Sequence, residues 1–175
     1  MKSLKNLSLL VLGLIAFNVS AQTDKATTAK IIAEKKYVFV ATSAMPMNST
    51  EINNILSRMP GGSGGNINLT GSNYDVRITA DSIACYLPYY GRAYAAPMNN
   101  DDSGYKFKSK KFTYSATKRK KGGWEININT KDVKDNVRMS LSISENGYAT
   151  LNVISNNKQS ISYNGYLSEP KKATL

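Results

Sequence analysis

Residues 85–97, CYLPYYGRAYAAP, gather the chain's single cysteine, four tyrosines, two prolines and one arginine into thirteen positions. A cysteine near a cation invites nucleophilic chemistry, because the reactive thiolate needs a base or a positive charge to form near neutral pH. The chain contains no histidine. Cys–His and Ser–His systems therefore have no general base within it. Only Arg92 lies near Cys85 in sequence. Cys85 also shares a period-two face with Ile83 and Leu87, so the pattern predicts a small, buried apolar side chain.

The tyrosines offer other chemistry. Tyr86, Tyr89, Tyr90 and Tyr94 could stack a sugar or a base, while Arg92 holds a carboxylate or phosphate. These five residues form the candidate ligand site. The competing expectation is a corner of the fold, with Pro88 ending a strand and Gly91 permitting the turn.

A second cluster lies downstream. Residues 106–121, KFKSKKFTYSATKRKK, hold eight basic residues and no acid. Lys106, Lys108 and Lys110 fall on one face of a strand, and Lys118, Arg119, Lys120 and Lys121 crowd a hairpin tip. They are the candidate surface for an anionic partner, although lysines also guard edge strands against aggregation. Their interleaving with Phe107, Phe112 and Tyr114 has the character of a nucleic-acid surface. An exported chain rarely meets nucleic acid, so an anionic envelope component is the expected partner instead.

Export is written at the N-terminus. Lys2 and Lys5 precede an apolar run from Leu7 to Phe17, eleven residues and too short to span a bilayer as a helix. Val19 and Ala21 occupy the −3 and −1 positions of a small-residue cleavage site. Residues 1–21 are thus expected to be a cleaved signal peptide, and residues 22–175 one β-rich domain of the periplasm or exterior. Loss of Lys2 and Lys5 takes the formal charge from +11 to +9. No transmembrane segment is expected after cleavage. One cysteine allows no internal disulfide.

Metal and acid–base chemistry have little to work with. One cysteine and no histidine leave no ordinary zinc site. Asp75, Asp81, Asp101, Asp102 and Glu125 are candidate acid–base or calcium groups. Residues 99–104, NNDDSG, lack the spacing and terminal Glu of a calcium loop. No cofactor and no metal are expected, and groups suited to acid–base work at neutral pH are missing, so the chain is expected not to be an enzyme.

The positioning elements follow from periodicity. Residues 24–36 favour a short helix anchored by Ile31 and Ile32. Residues 37–47 read as a strand, 47–60 as a second short helix and 61–65, GGSGG, as a loop. From Asn66 onward, apolar and polar residues alternate in strand-length runs, as in Val137, Met139, Leu141 and Ile143 against Arg138, Ser140 and Ser142. Turn chemistry at 101–104, 120–123, 145–147 and 155–158 separates these runs. The expected fold is all-β, an antiparallel meander of about eight or nine strands closing into a barrel-like structure. A two-layer β-sandwich is the alternative.

YLPYYGRAY at 86–94, the strand opening on Tyr105 and Phe107, the Gly147 hairpin and SNNKQSISYNG at 155–165 together resemble an exported bacterial family catalogued as domain of unknown function 4251. The resemblance implies export from Bacteroidetes-like cells and supplies no catalytic residues. Two functions fit the residues. One is a non-catalytic envelope or periplasmic binding protein for a small apolar or anionic ligand. The other is a structural or interaction protein docking an anionic partner through the Lys-rich strand.

Overall fold

Helix formers and strand formers segregate sharply along this chain, and a computed structural model describes residues 23–47, 62–63, 65–94 and 104–170. Helix α1 spans Lys25–Ala33. Asp24 caps it, accepting a hydrogen bond from Thr27 N at 2.8 Å. Eleven strands follow: β1 Tyr37–Pro46, β2 Gly62–Ser63, β3 Asn66–Asn68, β4 Asp75–Ile78, β5 Ile83–Leu87 and β6 Tyr105–Ser109, then β7 Phe112–Lys118, β8 Trp124–Thr130, β9 Arg138–Ile143, β10 Tyr148–Ile154 and β11 Ile161–Ser168. The expected N-terminal helix and alternating strands are present. The Gly-rich stretch differs from the expected plain loop: Gly62 and Ser63 pair with Ile67 and Asn66 in a minimal hairpin. The second helix expected at 47–60 and the turn at Asp101 and Asp102 lie outside the described residues.

The sheet runs β6-β5-β4-β1-β11-β10-β9-β8-β7, with every neighbouring pair antiparallel. The meander wraps around until its first and last strands pair, Phe39 opposite Leu167. This is the barrel-like closure, not the sandwich. An antiparallel ring requires an even number of strands, and nine are in the path. The chain resolves the conflict at β6 and β7. Eight antiparallel steps leave these two pointing the same way, and only Lys110 and Lys111 separate them. They are one strand bent in the middle: its first half pairs with β5 and its second with β8. Counted this way, the barrel has eight strands.

Asp132, in the β8–β9 connection, holds the bend. Its Oδ2 accepts hydrogen bonds from Lys110 N at 2.8 Å and Lys111 N at 3.0 Å, and its Oδ1 accepts from the Ser109 hydroxyl. Lys131 N adds a bond to Lys111 O at 2.7 Å. These bonds satisfy backbone groups that leave one ladder before joining the other. Lys110 therefore sits in the bend rather than continuing the strand face of Lys106 and Lys108.

Eight strands enclose a space that side chains can fill. Tyr37, Phe39, Tyr163, Ile126, Ile128, Leu141 and Leu151 fill it, all fully buried. Gly165 is required where β1 and β11 approach, because a Cβ there would lie 2.0 Å from Val40 O. Helix α1 covers one end, with Ile31 and Ile32 in the core. Thr23 and Thr28 hydroxyls, 2.6 Å apart, pack against the turn carrying Gly147. Among the described residues no helix is long and apolar enough to cross a membrane.

If the Asp132 contacts hold the bend, Asp132→Ala should lower the melting temperature and speed amide exchange in β7 more than in β10. Hydrogen-exchange mass spectrometry of the two strands measures this, and equal exchange in both would show that the bend does not rest on Asp132.

Candidate functional site: the tyrosine corner and the basic outer face

β5 delivers the chain to the end of the barrel opposite α1. Pro88 stops the strand, and its carbonyl accepts a 2.6 Å hydrogen bond from the buried Tyr163 hydroxyl. The Tyr89 hydroxyl then donates to Arg92 O at 2.9 Å. Arg92 O also accepts from Gln159 N at 3.1 Å, and Tyr94 N donates to Asn157 O at 2.8 Å. Ala93 and Lys158 complete this short antiparallel bridge. The corner is thereby sewn onto the β10–β11 connection by backbone bonds.

Lys158 places a cation among the tyrosine rings. It is buried, with its Nζ 4.8 Å from the Tyr105 ring centroid and 5.4 Å from that of Tyr89. Nζ also donates to Gly104 O at 2.6 Å. The two rings meet edge to face at 5.7 Å. A desolvated ammonium between aromatic rings is a favourable electrostatic arrangement. Sequence reasoning passed over Lys158, because a lysine closing the turn SNNK reads as a solvated tip. Arg92 is exposed, and its backbone carbonyl accepts from both the Tyr89 hydroxyl and Gln159 N.

Burial governs the titration of this cluster. It pushes the Tyr105 phenol up to about 12, with the Ser155 hydrogen bond opposing. Burial likewise raises Tyr163, Tyr89 and Tyr90 above the ordinary tyrosine value. Cys85 lies inward on β5 as its periodicity predicts, and burial, reinforced by the Asp75 charge, drives its thiol far above the ordinary range. These groups stay protonated at neutral pH. They can stack and donate hydrogen bonds, and they make poor nucleophiles. Among the described residues no cluster of His, Cys, Asp and Glu could hold a metal ion.

Tyr86 belongs elsewhere. It points outward from β5 and is 47% exposed. The register sets Asp75, Tyr86 and Lys106 side by side across β4, β5 and β6, and the neighbouring outward row is Arg77, Ala84 and Lys108. Tyr74 tilts against Tyr86 with centroids 5.4 Å apart, and Lys106 Nζ lies 6.0 Å from the Tyr86 centroid. Arg77 Nε contacts Asp75 Oδ2 at 3.0 Å. The candidate residues are therefore divided: Tyr89 and Arg92 bond within the corner, Tyr90 is half-buried beside it, and Tyr94 is exposed at its end. Tyr86 joins Lys106 and Lys108 on the outer face. Lys118, Arg119, Lys120 and Lys121 lie at the β7–β8 turn at the α1 end, all exposed.

The family model described as domain of unknown function (DUF4251) matches residues 20–167. The chain belongs to this family. A crystal structure of a DUF4251 protein from Bacteroides eggerthii DSM 20697 is similar in fold: TM-score 0.56 at 11% identity, over 83% of this chain and 87% of that one. No curated protein matches the sequence. At that identity, the likeness to the Bacteroides DUF4251 structure concerns the fold alone.

Two outcomes follow from the corner and its burial. Lys158→Met keeps the aliphatic stem and removes the ammonium, so it should destabilise the protein by about 2–4 kcal/mol in urea titrations, more than Arg92→Ala does. Stability should also be flat across neutral pH and fall on both sides. Asp24, Asp81 and Asp132 titrate below their ordinary values, chiefly through hydrogen bonds from Thr27, Thr79 and Ser109. The stability they add is present above about pH 4 and is lost as pH falls through their folded values. Tyr37, Tyr105 and Tyr163 titrate above theirs, chiefly through burial. Their contribution is present below about pH 10 and is lost as pH rises, at about 1.4 kcal/mol per pH unit for each phenol still protonated only in the folded state. Denaturation midpoints measured from pH 3 to 11 check both limbs.

Proposed function

We propose that this protein is an exported, non-catalytic binding protein of the cell envelope, and that it holds an anionic glycan on the outer face of β4, β5 and β6. The observation that carries the proposal is the alignment of the exposed Tyr86 ring with Lys106 on one row, and of Arg77 with Lys108 on the next. Adjacent strands lie about 4.8 Å apart, so Arg77 and Lys108 flank Ala84 at roughly 10 Å. Next to an aromatic ring, the small Ala84 separates Lys108 from Arg77, whose Nε is held by Asp75 while its other N–H donors stay available. A sugar ring stacks on tyrosine, and an acidic substituent finds a cation on either side. The filled barrel interior supports an external site, and the self-bonded corner supports it further. The expected charge of +9 after signal removal favours an anionic partner.

Alginate, a polyuronate, is a suitable probe, with neutral dextran as the control. Alginate should bind, dextran should not, and affinity should fall steeply with salt. Tyr86→Ala should weaken binding about tenfold, and Lys106→Gln with Lys108→Gln should flatten the salt dependence. Equal binding of dextran, or retention unchanged by both substitutions, would overturn the proposal.

A further inference from the structure

The opposite end of the molecule carries a feature that the outer face does not explain. The β7–β8 and β9–β10 turns lie side by side and enclose an open depression of about 470 Å³, lined by Arg119, Lys120, Lys121, Gly122, Ser144 and Glu145. We propose that this depression is a separate site for a phosphate group, distinct from the glycan face.

Its cation is fixed in place. Arg119 Nη1 donates to Ser142 Oγ at 2.7 Å, and Nη2 donates to Ile143 O at 2.9 Å. A guanidinium carries five N–H donors, so donors remain for a ligand while the fork is held. The turn that carries it depends on two glycines in the left-handed region, Gly122 at φ +87° and Gly123 at φ +81°. A Cβ on Gly123 would lie 2.1 Å from Ile143 O and 3.1 Å from Arg119 Nη2, displacing the contact that orients the arginine. The fold of this turn and the aim of the guanidinium are thus one device.

The second observation is Ser144. Among the described residues its Oγ is the buried side-chain polar atom without a hydrogen-bond partner. An unpaired buried hydroxyl is costly, and a small rotation of Ser144 toward a ligand in the depression would give it a partner. Ser144 lines the depression together with an anchored arginine, two lysines and Glu145. The one carboxylate there, Glu145, is paired with Lys25 at 3.0 Å. The excess of positive charge, the arginine fork and the hydroxyl suit a tetrahedral oxyanion, which accepts hydrogen bonds in several directions. A carboxylate, planar and singly charged, would use fewer of these donors.

The test is calorimetric titration of the full mature protein with inorganic phosphate at low salt, with glucose 6-phosphate as a second arm to separate free phosphate from a phosphomonoester. Saturable binding of either supports the site, and the tighter of the two names the source. Ser144→Ala should weaken it about tenfold without lowering the melting temperature, since the hydroxyl has no partner to lose. Lys120→Gln with Lys121→Gln should weaken it further, and Lys106→Gln with Lys108→Gln should leave it unchanged. That last variant separates this site from the outer face, whichever of the two fails. The proposal is overturned by no saturable binding below about 10 mM, by equal affinity in Ser144→Ala, or by loss of binding only in the Lys106 and Lys108 variant.

Discussion

The closure of the barrel governs everything else in this molecule. A meander of antiparallel strands can close only on an even count, and the chain reaches eight by bending one strand rather than adding or omitting one. The bend lies between Ser109 and Phe112, where β6 leaves β5 and β7 joins β8. Asp132 supplies acceptors to the amides that neither ladder satisfies. On the other side of the bend, the Tyr37 and Tyr114 hydroxyls meet at 3.2 Å and Lys35 Nζ lies 5.1 Å from the Tyr114 ring centroid, tying β7 back to the first strand and the helix end. Polar contacts thus join the two halves of a sheet whose interior is apolar.

Closure also decides where function can reside. An eight-stranded barrel is narrow, and Tyr37, Phe39 and Tyr163 occupy its interior with aliphatic neighbours. One end is covered by α1, and the other by the corner that Tyr163, Tyr89 and Lys158 stitch down. The two sites proposed above accordingly lie on the outer face and at the turns. There the same rule operates twice. Register brings Arg77, Ala84 and Lys108 into one row, and turn geometry brings Arg119 beside Ser142 and Ser144.

Much of the fold was legible in the residues because period-two alternation is a local property. Met139, Leu141 and Ile143 had to face one way whatever lay opposite, and Cys85 had to follow Ile83 and Leu87 inward. The corner was legible for the same reason: Pro88 cannot continue a ladder. Lys158 was not, since nothing within SNNK distinguishes a solvated lysine from one lying between Tyr89 and Tyr105. Those rings sit on segments far away in sequence. The division of the tyrosines was equally hidden. Tyr86 and Tyr89 are three residues apart, yet one faces outward from a strand and the other bonds beyond its end.

What the amino-acid sequence determined by itself was the alternating strands from Asp75 onward, their buried faces, the N-terminal helix and the absence of histidine chemistry. Each depends on side chains acting on their own backbone or on water. Tertiary structure alone decided that β6 and β7 are one bent strand, that the ammonium in the corner belongs to Lys158, and that Tyr86 stands with Lys106. These depend on which strands become neighbours. That choice is made by closure of the whole ring, where a hydrogen-bond ladder joins residues more than a hundred positions apart, as Val38 and Ser168 are.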